Sequence, residues 1–142
     1  MQTTSASKTV GALIVLAGLL GIVILAADKI LSLVPMHYYA LVAFVIVDFL
    51  VAGFVFMKPS KMSFTLAAGW SLLRIVIQIA DVSQAQAPGI GMGYTDFASY
   101  LFNPIGATPP NAMGVPGALI DLIILLEIIA FWLAWGARSS TK

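Results

Sequence analysis

The chain has no cysteine. That absence excludes disulfide scaffolds, Cys-ligated zinc, iron–sulfur clusters and thiol nucleophiles together. It has one histidine, His37, which is too few for a His-based hydrolase set or a haem-carrying bundle. Charged residues make up 9% of the 142 positions, where ordinary soluble domains carry about 25%. The formal net charge of +1 offers no basic field for nucleic acid. The methionines are scattered, so a copper site built on them has no support. No metal and no cofactor is expected.

What the chain does have is apolar surface. Hydrophobic residues reach 61% and mean hydropathy is +1.03. A small soluble domain leaves much of its area wet and could not hide this much. The expected class is an all-α integral membrane protein, with residues 1–142 forming a single transmembrane domain. Four runs are long enough to cross a bilayer core, which takes about 20 helical residues: 10–27, 38–57, 62–80 and 118–135. They show no polar–apolar alternation, so they are helices rather than barrel strands. The first run is long for a signal peptide, and only Leu25-Ala26-Ala27 offers a cleavage-like site, so it is read as a retained helix.

Lys and Arg placement sets the expected orientation. Lys8, Lys58, Lys61, Arg138 and Lys142 fall on one side of the alternating topology, while the segment 81–117 has neither Lys nor Arg. Both termini and the Lys58-Pro59-Ser60-Lys61 turn are therefore expected in the cytoplasm of a plasma-membrane protein. The tight turn should make the second and third helices antiparallel neighbours.

The outer segment 81–117 is long for a passive connection. Within it, Thr95 can cap a helix, Asp96 suits a first turn, and Phe97, Tyr100 and Leu101 recur at helical spacing before Asn103-Pro104. These residues predict an ordered loop containing a short amphipathic helix that docks on the membrane face or on a partner.

Asp48, Arg74, Asp121 and Glu127 lie inside the predicted spans. A charge at bilayer depth costs at least about 2.5–3.5 kcal/mol, so each needs a partner or a cavity. At about 1.5 Å per residue, Asp48 and Glu127 sit roughly 15 Å from the outer ends, Arg74 roughly 10 Å and Asp121 roughly 6 Å. Arg74 can reach Asp48, Asp121 or Glu127, and a bidentate pair suits its guanidinium. Three carboxylates against one guanidinium leave an excess of negative charge. At least one acid, with Asp48 and Glu127 as candidates, should then be neutral or bond another subunit. Asp121 and Glu127 are about 120° apart around their helix, so they cannot face one neighbour. Trp70, Arg74, Gln78 and Asp81 form a polar stripe that must meet a helix or water. This network reads either as a proton or ion path or as a lock between helices. The lock is favoured, because the chain has one such Arg and no continuous series of titratable groups from one face to the other.

Gly11 and Gly18, with the Ala17–Gly21 pair, allow close helix approach. His37 and Tyr38 suit one membrane interface, and Trp132 and Trp135 the other. Gly89, Gly91 and Gly93 do not make a dinucleotide fingerprint, since no strand precedes them.

The expected function is that of a non-catalytic structural or accessory subunit of a multi-subunit integral membrane complex, with a respiratory or other energy-converting oxidoreductase complex as the expected host. Its partners would be other integral membrane subunits and the lipid bilayer, with no soluble small-molecule substrate. The expectation rests on the missing active site, the small soluble parts, and buried polar groups spread over more faces than one four-helix core can absorb. The alternatives are a small proton- or ion-coupled transporter or channel oligomer using intramembrane carboxylates, and a membrane enzyme acting on a lipid or quinone.

Overall fold

A computed structural model describes residues 2–27, 35–84 and 117–140. Among them the protein is all-helical: α1 (Gln2–Ala27), α2 (Pro35–Met57), α3 (Lys61–Gln84) and α4 (Gly117–Ser140). Each contains a stretch long and apolar enough to cross a membrane: Ser5–Ala26, Tyr38–Met57, Lys61–Ala80 and Leu119–Ser140. The chain is a multi-pass membrane protein. The predicted helix at Phe97, Tyr100 and Leu101 lies outside the described residues.

Local chemistry explains the helix ends. Pro35 opens α2, where its missing N–H costs nothing. α2 stops at Met57, and Lys58 N donates to Phe54 O at 3.0 Å to close the last turn. Lys58 precedes Pro59, which disfavours a helical conformation there. Ser60 then caps α3. Ser60 N donates to Ser63 Oγ at 2.8 Å, and Ser63 N donates to Ser60 Oγ at 3.2 Å. This reciprocal capping box satisfies two orphan donors. α1 begins eight residues before Val10, because the polar segment ahead of the apolar run continues the helix.

The helices form an up-and-down bundle in which α1 packs on α2 and α4, and α3 packs on α4 and α2. The α2–α3 side, joined by the tight turn, is the thinnest of the four. The register of α1 on α2 is set by glycine. A Cβ at Gly11 would lie 2.6 Å from the Phe56 ring, one at Gly18 would lie 3.2 Å from Asp48 Cβ, and one at Gly21 would lie 2.7 Å from Val45 Cγ2. As the α1 number rises its α2 partner falls, as antiparallel packing requires. Large apolar side chains such as Leu50, Leu125 and Trp132 point outward on the bundle surface, as lipid solvation requires.

Inside, the core has two apolar clusters. One lies toward the Lys58–Lys61 turn and includes Val10, Ile14, Val55, Phe64, Ala67, Ala130 and Ala134. The other lies toward the opposite end and includes Ala17, Ile24, Ile123 and Leu126. Alanines on α3 and α4 let those two backbones approach closely, which is the main source of packing energy between helices in lipid. A charged layer lies between the two clusters.

Candidate functional site: a charged layer at mid-bundle

Asp48 is contributed by α2, Arg74 by α3 and Glu127 by α4, and all three side chains are fully buried. Asp48 lies nine residues from the turn end of its helix, or about 14 Å along the axis. That places the layer near the middle of the span. Arg74 Nη1 donates to Asp48 Oδ2 and, at 3.2 Å, to Glu127 Oε1. One nitrogen therefore ties α3 to two other helices. The bidentate fork expected with a single carboxylate does not form, because the guanidinium reaches between carboxylates that approach from different helices.

Asp48 is the better satisfied of the two acids. Its Oδ1 accepts from Trp70 Nε1 at 2.8 Å. Trp70 in turn meets the Phe44 ring edge to face at a centroid distance of 5.9 Å, and Arg74 Cζ lies 5.7 Å from the Phe44 centroid. The thin α2–α3 side is thus held by an aromatic and ionic clamp. α1 contributes no charge to the layer and borders it with two glycines, of which Gly18 is the one tight against it, a Cβ there lying 3.2 Å from Asp48 Cβ. The Cβ that Gly21 lacks would lie 3.8 Å from Arg74 Nη2, and the one Gly18 lacks would lie 3.4 Å from Asp48 Oδ2.

The layer retains hydrogen-bonding capacity. Glu127 Oε2, Ser71 Oγ, and Arg74 Nε and Nη2 are buried without a partner among the described residues. Gln78 Oε1 and Asp121 Oδ1 are in the same condition, on half-buried residues toward the opposite end of α3 and α4 from the turn. Among the described residues no three His, Asp or Glu side chains come together as a metal-ligand set.

The structure selects among the expected pairings. Arg74 meets Asp48 and Glu127 together, and neither ion pair involves Asp121. The expectation that the buried charges are too widely spread for one bundle is corrected for these three, since a guanidinium on a long stem absorbs both acids within one chain. Glu127 faces the core and Asp121 is half-buried, as their angular separation around α4 requires. On α3, Trp70 and Arg74 point into the layer, while Gln78 is half-buried beyond it. Gly11, Gly18 and Gly21 lie against α2, whereas Ala17 belongs to the cluster with Ile123 and Leu126 of α4. Tyr38 is half-buried and packs edge-on against Tyr39 at 5.7 Å. His37 and Asp81 are helical, and their side chains lie outside the described set. Trp132 and Trp135 are exposed and flank Phe131, and Arg138 lies over the Trp135 ring at 3.6 Å.

Sequence reasoning missed the Trp70–Asp48 hydrogen bond and the place of Ser71 and Phe44 in the layer. Ser71 was detectable in principle, standing three residues before Arg74 and so on its face. The Trp70–Asp48 pairing required the register of α2 on α3.

Comparison with protein families, characterised proteins and solved structures finds no match, so the layer itself must carry the functional argument.

Proposed function

We propose that the chain is a non-catalytic accessory subunit of a multi-subunit integral membrane complex. The single observation that supports the non-catalytic part of this reading is that Arg74 joins Asp48 and Glu127 across three helices, while membership in a complex rests on the polar groups left without a partner among the described residues. Catalysis or transport needs a charged group that is free to meet a substrate. Here the mid-bundle charges meet one another, and Trp70 closes the second oxygen of Asp48. Such a layer fixes helix register, which is the best-attested use of buried ions. The complex we favour is an energy-converting oxidoreductase, by analogy at the level of architecture. In this proposal the membrane is the plasma membrane, both termini are cytoplasmic, and the outer segment 85–116 between α3 and α4 forms an ordered loop. Phe97, Tyr100 and Leu101 on a short amphipathic helix there would dock on a neighbouring subunit.

A second reading is favoured by the unpartnered Glu127 Oε2, Ser71 Oγ, Gln78 Oε1 and Asp121 Oδ1. These groups begin at mid-depth and continue toward the end away from the turn, as a proton- or ion-conducting oligomer would require. Purification from the native membrane in mild detergent, followed by native mass measurement, separates the two. The subunit reading expects other integral membrane chains at fixed stoichiometry. A lone chain or a pure homo-oligomer would overturn it, and flux through liposomes that disappears in Glu127→Gln would establish the second.

A further inference from the structure

One end of the bundle is basic and contains no acid. α1 starts there, α2 passes to α3 there, and α4 finishes there. Gly11 lies against Phe56, and Ala6, Phe64 and Ala137 pack on one cluster, so these segments share a level. Lys8, Lys58 and Lys61 are exposed at this end, and Arg138 is half-buried. Residues 1–27, 49–80 and 128–142 include no Asp or Glu. Among the described residues this rim has four cations and no carboxylate side chain to answer them.

Helix stability favours Lys58, just past the end of α2, and Arg138, in the last turn of α4, but it does not explain Lys61. Lys61 is the first residue of α3, and neither α1 nor α3 has an acid in its first turn. A cation near a helix N-terminus opposes the macrodipole, where an acid would be favourable. Arg138 is placed differently. Its guanidinium carbon lies 3.6 Å from the centroid of the Trp135 ring. Indoles settle at the level of lipid headgroups, and a stacked guanidinium keeps a planar fork suited to phosphate oxygens.

We propose that this end binds anionic phospholipid headgroups, with Arg138 on its Trp135 platform contacting phosphate and Lys8, Lys58 and Lys61 supplying the surrounding field. The occupant is lipid because the cations ring a membrane-spanning bundle at the depth where headgroups lie. Each basic residue near such a surface favours an anionic over a zwitterionic lipid by about fivefold. This inference applies equally to a lone bundle and to a subunit.

The test reconstitutes the full chain in vesicles of phosphatidylcholine alone, and of phosphatidylcholine mixed equally with phosphatidylglycerol. Lipids that remain bound after transfer to detergent are counted by native mass spectrometry. Phosphatidylglycerol should be retained in preference to phosphatidylcholine, and high salt should reduce the preference. Arg138→Gln should reduce it about fivefold, and adding Lys8→Gln, Lys58→Gln and Lys61→Gln should remove most of what remains. Equal retention of the two lipids by the parent chain would overturn the proposal without any variant being needed. An undiminished preference in the fourfold variant, once inserted, would also overturn it. So would salt-sensitive binding of acidic soluble protein with no preference between lipids.

Discussion

Replacing Arg74 with Met separates two accounts of the charged layer. Met retains an unbranched apolar stem and removes the guanidinium. If only contacts mattered, the loss would be two polar interactions with Asp48 and Glu127. Interhelical polar contacts in membranes average about 0.6 kcal/mol and reach about 1.7, which puts that loss at about 1–3 kcal/mol. The structure requires more, because Asp48 and Glu127 are both fully buried and neither would retain a countercharge. Removing one partner from a buried ion pair costs about 3–5 kcal/mol, chiefly through the charge left behind. Arg74→Met should therefore lose about 3–5 kcal/mol, at least a hundredfold in the folding equilibrium. The neutral triple variant Asp48→Asn, Arg74→Met, Glu127→Gln leaves no charge stranded and should recover most of this, ending within about 2 kcal/mol of the parent. Both values can be read from reversible unfolding in detergent micelles followed by far-ultraviolet circular dichroism. A single variant as stable as the parent would refute the reasoning, as would a triple variant no better than the single.

Two further outcomes follow from the same packing. Gly21→Ala would place a methyl group 2.7 Å from the buried, stiff Val45 and should cost about 1–3 kcal/mol through overpacking, while Gly69→Ala, with nothing within 4 Å, should be neutral or slightly stabilising in the same unfolding assay. Trp70→Phe retains a ring against Phe44 but removes the donor to Asp48 Oδ1; a loss of about 0.6–1.7 kcal/mol is expected, and a stability unchanged from the parent would show that the hydrogen bond contributes nothing.

Much of the fold was legible in the residues because hydropathy and length are local sums. The run ending at Met57 and the run after Lys61 need no tertiary information to be recognised as spans. The charged layer was only half legible. Asp48, Arg74 and Glu127 could be singled out because an ion in an apolar span needs a partner. Their pairing could not be read, because Asp121 was as near to Arg74 in estimated depth as either true partner. Helix azimuth decided against it, turning Glu127 inward and leaving Asp121 half-buried.

Sequence by itself determined that this is a membrane chain with four runs long enough to span a bilayer, and that each mid-span ion needs a partner or a cavity. Only the tertiary structure decided that one guanidinium serves two acids, that Trp70 completes Asp48, and that Gly18 leaves room beside Asp48 while Gly21 leaves it beside Val45. The reason is physical. The cost of burying an ion depends on its surroundings being apolar, which a window of sequence reports. Which neighbour relieves that cost depends on the rotation and axial offset of whole helices, which are set by how small and large side chains interlock across the bundle.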